Sequence, residues 1–349
     1  MKFKYSVLFV LSLFLTIGLV LQAEAGTSKR TGTNAADELL IPVGARGTAL
    51  GGANLSTVIG TEAIFYNPAG LGMMDGAAEV LFSHQQYLAD IGVNYAALGA
   101  RTGIGNFGIS LKSLSFGDIP VTTEEAPEGT GATFSPNFMT VGLSFARSMT
   151  DRITAGINLK LINESIMSTN ANAIAFDLGV QYRTGAGVNI GVSMKNIGSS
   201  IKYSGQNLEK LVGVPGAEPT AADRRMAIPA EKAELPSVFE IGLSYDYVPV
   251  EKVNMSFMGN FRNHNFQNDE VLAGAEFDYA KTVFLRGSYS YQLNSEEDIQ
   301  GGLSYIYGPA FGFGLAYPLT ATTKVCFDYA YRMAEYFDAN QLFTMTLTF

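Results

Sequence analysis

From Ala78 to the carboxy terminus, polar and apolar residues alternate with a period of two. The runs are about as long as a tilted membrane-crossing strand, ~9–11 residues. In the stretch 106–113, Phe107, Ile109 and Leu111 share one face, while Asn106, Gly108, Ser110 and Lys112 share the other. The same two-faced pattern recurs over 78–85, 91–100, 139–145, 153–161, 174–182, 188–194, 238–247, 253–261, 271–279, 283–291, 311–317, 324–332 and 342–349. That gives about 14 strands. Bacterial single-chain barrels have even counts, so the weakly alternating stretch Ile299 to Pro309 is assigned to an outer loop.

A soluble sandwich alternates too, and the connections tell the two apart. Tight turns (101–105, 148–152, 184–187, 248–252, 280–282) take turns with longer polar segments (116–136, 165–170, 198–236, 263–269, 294–309). Short turns on one side and long loops on the other is the layout of outer-membrane barrels. In lipid every backbone N–H and C=O needs a partner, so a sheet spans only if it closes, with its apolar face outward. The expected fold class is all-β, a transmembrane antiparallel β-barrel. The final strand supports this, because Phe343, Met345, Leu347 and Phe349 alternate with threonines up to a terminal aromatic, the kind of signal that barrel-assembly machinery reads.

The first 25 residues predict a route to that membrane. Lys2 and Lys4 precede the apolar run Tyr5 to Leu21, and Ala23-Glu24-Ala25 offers a small-x-small cleavage site. A signal peptide over 1–25, an amino-terminal segment over 26–77 and a barrel over 78–349 follow. The expected location is the outer membrane of a Gram-negative bacterium, crossed many times and contacted by its lipid. Residues 26–40 read as a mobile terminus. Cys326 is the single cysteine, so no disulfide forms within the chain. The net charge of −9 argues against a nucleic-acid partner.

Val43 to Gly72 does not fit the alternation. It is rich in glycine and alanine and ends in the turn Asn67-Pro68-Ala69-Gly70, so backbone can pass close to backbone there. The expectation is a plug packed inside the barrel. The polar strand faces would then line a lumen in which Glu79, Asp177, Glu240, Asp246, Glu276, Asp278 and Asp328 balance Lys112, Lys160, Lys195, Arg262, Arg286, Lys324 and Arg332. Such balance predicts pairing across a crowded interior rather than a wide selective pore. Arg46 of the plug is a candidate partner for Asp177 or Glu240.

Other motifs point to no chemistry. Gly103, Gly105 and Gly108 match a dinucleotide fingerprint, but a strand rather than a helix follows. His84 and His264 are far apart in or beside loops, the acidic clusters at 124–125 and 296–298 read as solvated loops, and no nucleophile elbow is present. No enzyme activity, cofactor or metal is expected.

Several motifs together resemble the PorV/PorQ family: Gly44-Ala45-Arg46-Gly47, Gly51-Gly52-Ala53, the 67–70 turn, the run Gly191 to Gly198 with Asn196, Leu235-Pro236, the run Asp328 to Tyr331 and terminal Phe349. That family is related in fold to FadL-type transporters, whose plug sits in a 14-stranded barrel. The PorV likeness implies a type IX secretion component, with the translocon, the surface attachment complex and cargo signal domains as partners. The secretion role is the main expectation; the FadL likeness implies, as the alternative, a transporter that passes hydrophobic compounds through a lateral opening.

Overall fold

The computed structural model describes residues 30–213, 224–293 and 305–349. The signal-peptide assignment, the acidic cluster 296–298 and most of the loop assigned to 299–309 lie outside the described residues. Among the described residues fourteen strands form the barrel: β1 (Ala78–Gln86), β2 (Gly92–Thr102), β3 (Gly105–Ser115), β4 (Asn137–Ser148), β5 (Ile153–Ile166), β6 (Thr169–Arg183), β7 (Val188–Gly198), β8 (Val238–Val250), β9 (Val253–His264), β10 (Glu270–Tyr279), β11 (Val283–Gln292), β12 (Tyr307–Pro318), β13 (Lys324–Ala334) and β14 (Asn340–Thr348). Each pairs antiparallel with its neighbours in chain order, and β14 returns to β1 from Glu79↔Thr348 to Gln86↔Gln341. Closure leaves no free sheet edge.

Alternation sets which face is which. Phe82, Phe343, Phe313 and Phe327 are about half exposed on the outside, whereas Ser83, Gln85, Asn106, Asp177 and Glu240 are buried inside. A soluble sheet has the reverse pattern, so this outer surface suits hydrocarbon.

Three sequence expectations need correction. Residues 165–170 are no long loop, because β5 and β6 run on to Ile166↔Thr169 and turn at Met167, whose φ is 53°. β12 begins at Tyr307, inside the stretch assigned to a loop. Residues 34–40 are docked, with Ala36 and Leu39 packed against Ile162, Ala171, Ala173 and Ala175 of the wall and Ile201 and Leu235 of the long loop after β7.

The chain passes through the lumen before it builds the wall. At the long-loop end Arg30 meets Glu234 and stacks on Phe266, and Asn34 bridges Glu234. At the short-turn end the Ala77 N–H donates to the Phe349 carbonyl at 2.6 Å. Between these ends run a 3-10 turn (Asp37–Leu40), α1 (Ala45–Ala49), a 3-10 turn (Gly60–Glu62), α2 (Ala63–Tyr66) and a 3-10 stretch (Pro68–Met73). Ala45, Ala49, Leu50, Ala53, Leu55, Val58, Ala63, Ala69 and Leu71 are fully buried.

Inward-facing glycines of the wall create the room. Gly156 of β5 and Gly179 of β6 are cross-strand partners; a Cβ on the first would lie 2.4 Å from the Pro68 carbonyl carbon, and one on the second 2.0 Å from Asn67 Oδ1. Gly99 and Gly108 likewise pair beside Met74 and Ile64, and Gly191 and Gly242 pair beside Leu55. Real side chains there would overlap the segment, so the wall is shaped for it.

Candidate functional site

A segment with so little helix satisfies only part of its own backbone, through turns such as Thr48 N–H to Gly44 O and Val58 N–H to Asn54 O, and inside a barrel it has little water. The lumen side chains do this work. Asn106 donates to Leu71 O at 2.7 Å, Asn260 to Gly52 O at 2.8 Å, Ser288 to Ala49 O at 2.9 Å, and Gln181 to both Leu55 O and Val58 O at 3.0 Å. Thr344 accepts from Ala45 N–H at 2.8 Å, and Glu79 takes the Thr61 N–H and hydroxyl at 2.7 Å each. Lys112 spends its ammonium on the carbonyls of Glu38 and Ile41, at 2.6 and 2.5 Å.

The turn 67–70 is fastened in the same way. Asn67 begins the 3-10 stretch, its Oδ1 accepting from Ala69 N–H at 3.2 Å, while its Nδ2 donates to Leu55 O at 3.1 Å and to Val180 O of β6 at 3.2 Å. Pro68 follows at the first helical position, where its missing N–H costs nothing. Gly70 has Val58 O 2.1 Å from where a Cβ would stand, so this position admits no side chain. Gly44, at φ 77°, and Gly47, against the Tyr66 ring, are equally crowded by Glu62 and Tyr66. Gly51 and Gly52, both at positive φ, lie against Ser288 and Arg262.

Most of the remaining charges fall into clusters set by the antiparallel register. Glu276 stands opposite Arg286, and Glu240 and Glu270 stand opposite Arg262 on either side of it. Arg46 reaches from α1 to Glu276 with two bonds of 3.0 and 3.1 Å, and Arg286 links Glu276 at 2.6 Å to Asp328 at 2.5 Å. The partner of Arg46 is thus Glu276 rather than Asp177 or Glu240. Lys195 and Arg262 share Glu240 at 2.7 and 2.9 Å, and Arg262 also holds Glu270 at 2.8 Å. Lys160 pairs with Asp177 at 2.7 Å, at the point where the β6–β7 register shifts; there Asn196, at φ 59°, donates its backbone N–H to Asp177. Three polar-face charges lie away from these clusters, towards the short-turn end: Lys324 is exposed at the start of β13, Asp278 accepts from the Lys281 N–H in a turn, and Asp246 accepts from Asn189 and Ser256.

The segment carries two buried acids that the sequence alone did not single out, Glu38 and Glu62. Burial pushes Glu62 up to about 7, against the pull of Arg46. Glu38 rises to about 8, through burial first and then the charge of Glu164 beside it. The Tyr203 hydroxyl, from the long loop, donates to the other side of Glu164. For Glu62 the available sequence signal was an acid inside a stretch of small residues; Glu38, beside Asp37, offered none.

On the long-loop side of the segment a cavity of about 220 Å³ remains. Leu39, Ile41, Pro42 and Phe65 are among its apolar lining, and Asp37, Lys160, Lys195, Glu240, Arg262, His264, Glu270 and Arg332 are its charged lining, with the Lys195 ammonium 5.4 Å over the Phe65 ring. A larger groove of about 840 Å³ lies on the outer, lipid-side surface, over Phe82, Ala96, Leu111, Phe313 and Phe343. There His84 faces outward and bonds Asn94 at 2.8 Å. It is His264 that faces the lumen, so the two histidines share no site.

A closed 14-stranded antiparallel barrel with a buried amino-terminal segment and a salt-bridged lumen defines the class: this chain has the fold of FadL-type outer-membrane channels. Among solved structures it resembles the "CymD monoaromatic hydrocarbon channel" at 12% identity and a TM-score of 0.55, over 88% of this chain and 97% of that one. It is also similar to the P. putida toluene transporter TodX (12%, TM-score 0.52, 87% and 96%) and to a Pseudomonas aeruginosa FadL homologue (11%, TM-score 0.53, 88% and 98%). These proteins are channels rather than enzymes. No protein-family model and no curated protein matches the sequence. The PorV/PorQ resemblance rests on sequence motifs alone.

Proposed function

We propose that this chain is an outer-membrane channel for small hydrophobic compounds, with residues 34–74 as the plug that closes it. The observation that carries the reading is the lumen cavity, whose apolar lining, Leu39, Ile41, Pro42 and Phe65, comes from the plug itself. A barrel serving only as a scaffold has no reason to leave such a space beside a segment that elsewhere fits its wall closely. The shared fold of channels for apolar solutes supports the same reading.

The test is toluene uptake by intact cells whose own hydrocarbon channels have been deleted. Expression of this protein speeds uptake, and a disulfide between cysteines placed at 49 and 330, in a Cys326→Ser background, abolishes the gain until reduced. Ala49 and Ala330 belong to one buried cluster, so this bond ties α1 to β13. No gain over cells lacking the protein ends the reading.

A second reading, a type IX secretion component, draws on the PorV/PorQ resemblance and on one feature of the long loop. Its hairpin, Glu209–Val212 paired with Arg224–Ala227, exposes Leu211 and Met226, and Ile228 beside it is exposed as well. Exposed apolar side chains on a two-stranded ribbon suit protein docking. Pull-down from detergent-solubilised outer membranes should then recover a translocon or cargo signal domain; recovery of neither removes this reading.

A further inference from the structure

Four cations of lysine and arginine line the lumen cavity, and three are neutralised at short range: Lys160 by Asp177, Lys195 by Glu240, and Arg262 by Glu240 and Glu270. Arg332 differs. Among the described residues its guanidinium donates from Nη2 to the Tyr305 hydroxyl at 3.2 Å and lies 3.7 Å over the Tyr307 ring, with no carboxylate in ion-pairing reach; its Nε has no partner. The residue is 8% exposed. A buried arginine without a counter-anion is costly, because a cation loses its hydration and regains too little.

Two further buried oxygens beside the same cavity, Oγ1 of Thr48 on α1 and Oε2 of Glu240, make no hydrogen bond, while Nε2 of His264 faces Glu270 at 3.5 Å. Leu39, Ile41 and Phe65 line the same cavity. The space is that of about seven waters by bulk volume. At about 220 Å³ it has room for one small ring with a charged substituent.

We propose that this cavity binds a small organic acid, its carboxylate on Arg332 and its apolar part against Leu39, Ile41 and Phe65. The guanidinium fork offers Nε and a second N–H in the plane a carboxylate needs. The proposal rests on the channel reading in taking the lumen as a solute's route, and it names the class of solute.

The purified full-length protein is titrated with benzoate, benzamide and toluene by calorimetry. Benzoate should bind about tenfold or more tightly than benzamide, its neutral isostere, since only the acid makes a charge-assisted pair. Arg332→Gln should remove that preference and leave toluene binding unchanged, while Arg332→Lys keeps part of it. Equal binding of benzoate and benzamide by the unaltered protein overturns the proposal without any variant having to fold. So does an Arg332→Gln barrel of native gel mobility that still prefers benzoate. Toluene uptake by cells without benzoate preference leaves the channel and removes the acid site. Benzoate preference without uptake of either solute keeps the site and removes the channel.

Discussion

A methyl group added at Gly156 tests whether the wall is built around the inner segment. In the structure that Cβ would lie 2.4 Å from both C and O of Pro68 and 2.6 Å from the Ala69 N. All three are backbone atoms, so no rotamer change relieves the overlap, and the segment must withdraw from β5 and β6. Overpacking of this kind costs about 1–3 kcal/mol. Withdrawal also stretches the Asn67 bond to Val180 O, now 3.2 Å, which ties the turn to β6. The strand itself loses nothing, because alanine sits in a β-strand at least as well as glycine. A cost of 1–3 kcal/mol raises the undocked population roughly 5- to 150-fold. Hydrogen exchange of amides 63–74 in detergent should therefore quicken by that factor in Gly156→Ala, while the β1–β14 ladder keeps its protection and the barrel its gel mobility. Gly103→Ala is the control, since nothing lies within 4 Å of a Cβ there. Unchanged exchange over 63–74, or a loss of protection shared by all fourteen strands, would refute the reasoning.

Other expectations follow from the same contacts. Glu276→Gln leaves Arg46 and Arg286 facing each other without their shared carboxylate, and removing one partner of a buried pair costs about 3–5 kcal/mol, read as a lower melting temperature; Arg46→Met together with Glu276→Met should cost less than the two changes summed. Glu38 is raised to about 8 from 4.5, so the docked state favours the protonated acid. Docking of residues 34–41 is then firm below about pH 4.5 and weakens as pH rises through about 8, with Glu164, Lys112 and Tyr203 the charged and titratable neighbours. Limited proteolysis across that range should show the trend, and Glu38→Gln should abolish it. Asn67→Ala loses three hydrogen bonds at the turn and should destabilise docking by about 1–3 kcal/mol, visible as faster exchange at 55–58 and 67–70. Deleting Phe349, whose N–H bonds Ala78 O at 2.9 Å and whose outward ring ends β14, should lower the yield of assembled barrel in the membrane.

How much of this was legible in the sequence depends on the range of the interaction. Alternation is local, so the number of strands, their faces and the tight turns at 103–104, 149–152 and 280–282 could be read along the chain. The exceptions also have local causes. Tyr307 starts a strand through Gly308 and Pro309, which mask the pattern, and Met167 takes a positive φ that composition does not announce.

Partnership is a different matter. Balanced charges suggested pairing, yet that Arg46 meets Glu276 follows from α1 lying against β11–β14, hundreds of residues away in the chain. Glycines on the polar faces of strands were visible as letters, but their meaning is steric and appears only when Asn67 and Pro68 stand before Gly179 and Gly156. The sequence alone therefore determined a closed two-faced sheet, because side-chain alternation is a property of neighbouring residues. Tertiary structure alone decided how the amino-terminal segment threads the lumen and that Arg332, at the cavity, meets Tyr305 and Tyr307 rather than a carboxylate among the described residues. Those are properties of atoms brought together only when the barrel closes.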